Sequence, residues 1–341
     1  MKRLIVAGGF LIAVVAILAS THLGASTSGG HGVTVSSEGK AGKGYTWHLA
    51  IEPGKGCFEG KCAEGQWAMA IVPLVAFDGK LFLVGQKSIW SSVDGINWNS
   101  QAKTDWGERH GMAYVFFDEK IWMLGGMRSW DKFEDDVWYS SDGKAWKLAT
   151  ANAGWTPRRN HSVLIHDNKM WLLGGAESSG RADQLPSRFL NDVWSSEDGV
   201  HWTQVTANAS WVARDSHTAM HFKNKLWVIG GAGQRDVWSS NDGKTWTQVT
   251  ATTEWSERLS NGGLVFDEKM WIFGGRGLND VWYSSNGERW HMAFAHAPWS
   301  TRTAFHSVVF DNKLWVYGGK TGREDSWAGD VWTMAANASG R

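Results

Sequence analysis

Cysteine, proline, tyrosine and net charge are all scarce in this chain. Only Cys57 and Cys62 occur, in the stretch Cys57-Phe-Glu-Gly-Lys-Cys62. One pair leaves no ligand set for structural zinc, which takes about four ligands. In an oxidising compartment the two are expected to close a small disulfide loop. Five prolines against 41 glycines exclude a Pro/Gly low-complexity chain. Basic and acidic residues both number 34, so the formal net charge is zero. That balance argues against nucleic acid as a partner, because such binding rests on neutralising phosphates.

Long hydrophobic runs are missing except at the start. Lys2 and Arg3 precede an apolar run from Leu4 to Ala19, followed by the small residues Ser20, Ala25 and Ser26. Residues 1–25 read as a secretory signal peptide. The run also reaches the ~17 residues that just span a bilayer, so an uncleaved N-terminal anchor stays open. Residues 26–44, rich in Gly, Ser and Thr, read as a flexible lead-in. The protein is expected outside the cytoplasm, whether periplasmic, secreted or anchored. Membrane contact is expected only through that anchor.

Tryptophan, by contrast, is abundant: there are 25, and they are periodic. A first Trp lies at 106, 155, 211, 255 and 299, and a second follows sixteen residues later at 122, 171, 227, 271 and 315. The second sits in an apolar run ending in Gly-Gly. A third lies in Asp-Val-Trp at 138, 194, 238, 282 and 332, and a fourth comes eight residues after the first four of these, beyond an Asp-Gly or Asn-Gly pair. Residues 67–98 are a degraded copy, with Phe82 for the second Trp. Short apolar segments bounded by turn residues are strands, and Asp-Gly suits a tight hairpin. Each unit is therefore four antiparallel strands, a to d, and units of this period are propeller blades.

The last copy ends after its c strand, at Asp330-Val-Trp-Thr-Met334, while Tyr45-Thr-Trp47-His-Leu resembles a d strand. The expected fold is an all-β, six-bladed propeller over residues 45–335, closed by its N-terminal strand, with a tail at 336–341.

The Gly doublets (Gly125-Gly126, Gly174-Gly175, Gly230-Gly231, Gly274-Gly275, Gly318-Gly319) and the following Trp-bearing strand resemble the kelch-repeat family. The Ser-Ser-Asn-Asp-Gly-Lys-Thr-Trp hairpin partly resembles the Asp-box turn of sialidase-type propellers. The kelch family includes scaffolds, galactose oxidase and a bacterial sialic-acid epimerase, so the resemblance implies the fold and not the job. No copper–radical constellation matches, since both Cys lie in one insert. No Tyr lies in a variable loop, as sialidase chemistry would need. No cofactor or metal is expected, and His161 and His217, at equivalent positions, read as core histidines.

The spacing from second to third Trp varies widely, so length variation collects in the b–c loops. Residues 51–66 form a further insert, in a d–a connection. Variable loops on a rigid frame carry binding residues, which makes the b–c/d–a face the expected functional face. Its candidates are Trp130 and Arg128 in the blade-two loop, and Trp327 and Arg323 in the blade-six loop. These loops are expected to flank a low rim at blade one, near the Cys57–Cys62 insert. The blade-three loop, 176–191, adds Arg181, Asp183 and Arg188.

Arg109, Arg158, Arg214, Arg258 and Arg302 form a repeated series, either an anion-binding ring or structural interblade pairs with Asp136, Asp192, Asp236, Asp280 and Asp330. Blade one favours pairs, because Met69 and Ser88 replace both partners at once. Glu108, Asp215 and Glu257, beside these arginines, are the weak catalytic candidates. The expected function is a non-catalytic binding module for a glycan or an extracytoplasmic protein. The alternative is an enzyme acting on a sugar acid, as the resemblance to the sialic-acid epimerase implies.

Overall fold

The repeats build six sheets, whose strands follow from the alternation of turn residues with buried apolar runs. The computed structural model describes residues 44–52, 57–58, 61–62, 74–85, 88–104, 106–129, 131–178, 188–321 and 326–337. At 57–58, 61–62 and 326–327 it describes the backbone alone. The chain divides into Met1–Gly32 and Val33–Arg341, and every described residue belongs to the second unit. The signal segment, residues 26–43 of the lead-in, Trp67, Met69, Trp130, Arg181, Asp183, Arg323 and residues 338–341 lie outside the described residues.

Blade one comprises Leu74–Phe77, Lys80–Val84, Ser88–Ser92 and Asn97–Lys103. Blade two comprises Ala113–Phe117, Lys120–Ser129, Lys132–Ser140 and Lys147–Thr150. Blade three has Ser162–His166, Lys169–Glu177, Arg188–Ser196 and Thr203–Thr206. Blade four has Thr218–Phe222, Lys225–Ile229, Val237–Ser240 and Thr247–Thr250. Blade five has Gly262–Phe266, Lys269–Gly275, Leu278–Ser284 and His291–Phe294.

Blade six takes His306–Phe310, Lys313–Tyr317 and Val331–Ala336 from the C-terminal end, and Tyr45–Ile51 from the N-terminal end. Tyr45–Ile51 runs antiparallel to Val331–Ala336, with Trp47 opposite Met334. The innermost strands touch in order, one to two through six to one, so the ring is closed. Closure by the N-terminal strand leaves no blade short of its outer strand.

The two hairpin types of each blade have different chemistry. The a–b turns place two successive residues at positive φ, as in Asp167 and Asn168 (φ 48 and 52), the geometry of a type I′ turn. In the c–d turns a buried serine hydroxyl and an aspartate hold the chain. In blade four, Ser240 Oγ donates to Asp242 Oδ1 at 3.0 Å, and the amides of Lys244 and Thr245 donate to the same carboxylate. The turn glycine then follows at φ 69.

These glycines also join the blades. A Cβ on Gly199, Gly243 or Gly287 would overlap the ring of Trp122, Trp171 or Trp227, the b-strand Trp of the preceding blade. Gly95 meets Trp315 in the same way, and Gly143 meets Phe82. Blade six has no c–d turn, because its outer strand comes from the other end of the chain. There Tyr45 takes over: its ring meets Trp271 edge-on at 4.8 Å, and its hydroxyl bonds Asp267 and Lys269. The Trp residues are therefore mainly joint material. Each buried indole removes about 150–250 Å² from water.

Candidate functional site

The repeated arginines come first, because they stand just before the inner strands of five blades, in the d–a connections. Each bonds one aspartate bidentately. Arg158 Nη1 and Nη2 donate to Asp192 Oδ1 and Oδ2, both at 2.7 Å, and Arg214 reaches Asp236 at 2.6 and 2.9 Å. Arg109, Arg258 and Arg302 do the same with Asp136, Asp280 and Asp330. Nη1 of each also donates to the carbonyl of the first glycine of the doublet. The indole of Asp-Val-Trp donates back to the same aspartate. Trp, Arg, Gly-Gly and Asp-Val-Trp are thus one hydrogen-bonded unit.

All five arginine side chains are 0% exposed. As an anion-binding ring they are therefore corrected: their guanidinium groups are occupied and shielded. The expectation of interblade pairing is corrected too, since both partners lie in one blade. The seam is sealed by the Trp three residues earlier. Trp155, for example, packs with Leu124 and Val137 of blade two and Met170 and Leu172 of blade three. In blade one, where Ser88 replaces the aspartate, Trp90 Nε1 donates to Ser88 Oγ at 3.0 Å.

Just past each arginine the chain turns onto the inner strand through a left-handed residue: Gly111, Asn160, Ser216, Ser260 or Ala304, at φ 51–66. Asn160 N donates to Gly111 O at 2.8 Å, and Ser216 N donates to Asn160 O at 3.0 Å. These bonds tie blades two, three and four together around the axis. The residue between arginine and turn never recurs: His110, Arg159, Asp215, Leu259 and Thr303. At blades three and four this variation makes a polar cluster. Asp215 is buried and accepts from Asn160 Nδ2 at 3.1 Å. Arg159 lies 5.7 Å from the Phe133 ring centroid. Burial pulls its guanidinium below the ordinary value and the Asp215 carboxylate opposes this. It stays charged, as arginine does in proteins.

Of the acidic candidates, only Asp215 lies in this cluster. Glu108 is exposed on the linker, and exposed Glu257 pairs with Arg276 at 3.1 Å. His161 and His217 are buried, and neither ring nitrogen of either has a hydrogen-bond partner. Burial first, then the neighbouring arginine, pushes both imidazoles down to about 3, so they are neutral. Asn261, next in that series, donates to Thr218 Oγ1 at 2.9 Å. Arg159, Asn160 and Ser216 are the residues that sequence reasoning missed.

The loop candidates fall differently than expected. Ser129 lies opposite Lys132 at the end of a long blade-two ribbon, and Trp130, which follows Ser129, lies outside the described residues. Arg128 bonds Glu134 and the Trp106 carbonyl at its base. Arg188 pairs with Glu177 at 2.7 Å along the blade-three ribbon. In blade six, Lys320–Thr321 pairs with Ser326–Trp327 and with Arg302–Thr303, and Arg302 also pairs with Leu278 of blade five. That places the backbone of Trp327 at the seam of blades five and six, away from blade one.

The cysteine insert is displaced as well. Cys57–Phe58 runs parallel to Asn97 and Trp98 of the outermost strand of blade one, with Cys62 opposite Cys57. It covers a free sheet edge and does not border an axial cleft. The described backbone thus places Trp327 at the seam of blades five and six and the cysteine insert on the outer edge of blade one.

The family model of the KLHDC2/KLHL20/DRC7 Kelch-repeats domain matches residues 86–275. Among solved structures, that of YjhT aligns with a TM-score of 0.63 at 14% identity, covering 76% of this chain and 93% of that one. A likeness at that identity is one of fold. No curated protein matches the chain.

Proposed function

Since the chain belongs to the kelch-repeat family, we propose that it is an exported, non-catalytic binding module whose ligand sits at the axial mouth of the b–c/d–a face. The ligand class is a glycan or an extracytoplasmic protein. One observation carries this reading: within a frame whose five arginines are neutralised, Arg159, Asn160, Asp215 and Ser216 form a polar cluster that, among the described residues, no other blade repeats. A half-buried guanidinium stacked near Phe133 suits a carboxylate. The amide, carboxylate and hydroxyl beside it suit sugar hydroxyls. Trp130 of the blade-two loop, read from the sequence, would add an aromatic face for a sugar ring.

A second reading follows from Asp215 itself. It is the one acidic candidate placed against an arginine at the axis, where an acid/base group for a bound sugar acid would stand. Export rests on the N-terminal charge-then-apolar pattern and on the register of Cys57 with Cys62. Thiol labelling before and after reduction tests the disulfide.

The test of function is a glycan array that includes sialic acids, run with the wild type, Arg159→Ala, and Trp130→Ala with Trp327→Ala. Saturable binding lost in Arg159→Ala with folding unchanged supports the axial site. Binding that survives Arg159→Ala but fails in the Trp double variant moves the site to the loops. Turnover of a bound sugar acid, abolished by Asp215→Asn, favours the enzyme. Absence of binding to every glycan removes the glycan class and leaves the protein partner.

A further inference from the structure

The inner strands can be compared position by position at the opposite, a–b end of the axis. Their last residue is Phe77, Phe117, Phe222, Phe266 or Phe310, but His166 in blade three. The residue before it is Ala76, Phe116, Ile165, Val265 or Val309, but His221 in blade four. These two departures from an apolar pattern touch each other, with ring centroids 5.0 Å apart at 61°. The same joint between blades one and two is Phe77 on Phe116, at 5.3 Å. Both sides of one joint have thus changed from apolar to imidazole together.

His166 is buried, and its Nε2 lies 3.2 Å from the carbonyl oxygen of Asn241. A carbonyl can only accept, so Nε2 carries the proton and Nδ1 the lone pair. That Nδ1 is buried with no hydrogen-bond partner. Metal-ligating histidines are set up in this way, with one ring nitrogen donating to a carbonyl and the other left bare. His221 reaches solvent. Partial burial and then the nearby His166 lower its imidazole from the ordinary value.

We propose that His166 and His221 form a two-imidazole site for a divalent transition-metal ion, with Cu²⁺ bound more tightly than Ni²⁺ or Zn²⁺. Imidazole suits these ions, and the affinity order is the general one for nitrogen ligands. Among the described residues no group of three or more His, Cys, Asp or Glu could hold a metal. Any remaining positions would fall to water on the side where His221 is exposed.

The experiment is a Cu²⁺ titration of the full chain, followed by calorimetry and electron paramagnetic resonance. The wild type is expected to show a saturable site with nitrogen coupling from two imidazoles. His166→Phe with His221→Phe recreates the joint of blades one and two. It should keep the near-ultraviolet tryptophan spectrum and lose that signal, with affinity down by about 10–100-fold or more. His221→Ala, at a solvent-accessible side chain, gives the same readout if the double variant fails to fold. His201→Ala, at an exposed histidine paired with Asp198, should leave the signal intact. A two-nitrogen signal that survives in the His166/His221 variants overturns the assignment, as does a wild type with no saturable site.

Discussion

Replacing Arg214 with Met should be among the most damaging single changes in the propeller, and a second change should largely repair it. The Arg214 side chain is 0% exposed and bonds Asp236 twice, Gly230 O at 2.9 Å and Val212 O at 2.8 Å. Without it, a carboxylate only 8% exposed is left with the Trp238 indole. Breaking a buried pair by removing one partner costs about 3–5 kcal/mol. The sequence of blade one suggests the repair, with Met69 and Ser88 at the corresponding registers, and Trp90 there donates to Ser88. Arg214→Met with Asp236→Ser removes both charges and keeps an acceptor for Trp238. It should lie within about 1–2 kcal/mol of wild type. Urea unfolding followed by Trp fluorescence would give a coupling of roughly 2–3 kcal/mol in the double-mutant cycle.

Acid adds an independent readout. Burial raises the Asp236 carboxyl, but the Arg214 and Trp238 bonds and the Arg214 charge outweigh it and hold it below the ordinary value. The unfolded chain therefore binds this proton more readily. The stabilisation is whole above the unfolded value of about 3.9 and is lost as pH falls through the lower folded value. The double variant should lose less stability over that window. A single Arg214→Met that costs under about 1 kcal/mol, or a double variant equal to the sum of its parts, would refute the coupled-pair reasoning.

Three further outcomes follow. Gly243→Ala should cost about 2–4 kcal/mol, since its Cβ meets the Trp171 ring at φ 69, whereas Gly154→Ala, at φ 86 with open space, should cost only about 1; thermal melts separate clash from backbone strain. His161 and His217 are pushed down to about 3, so between the unfolded value near 6.5 and about 3 the unfolded chain binds more protons and stability is lost as pH is lowered. His161→Phe with His217→Phe, copying Phe305 of blade six, should flatten that slope in pH-dependent urea titrations. Asp198 sits at about 2, with burial outweighed by bonds from His201, Val200 and Ser196, so Asp198→Asn should lose under about 1 kcal/mol at pH 7, because Asn286 already makes these turn contacts in blade five.

The blades act as an internal alignment, and this decides what was legible. Trp spacing and the transplanted outer strand showed the ring, because a closed propeller must account for every strand. The joint loss of Arg and Asp in blade one showed that they pair. It could not show that they pair within a blade, since the repeat period is the same either way. Nothing in Cys57-Phe-Glu-Gly-Lys-Cys62 says which sheet edge it covers, because edge pairing uses the backbone and not side-chain identity.

The axial cluster was missed for a different reason: attention to what recurs selects the frame. Chemistry that recurs in five blades belongs to the frame, as the neutralised arginines show. The residue just after each arginine changes from blade to blade, as His110, Arg159, Asp215, Leu259 and Thr303, so no repeat marks it in the sequence. Where two departures from the repeat face each other across one seam, as His166 and His221 do, the repeat supplies its own control in Phe77 and Phe116: an apolar contact serves at that joint, so the repeat itself does not require the imidazoles.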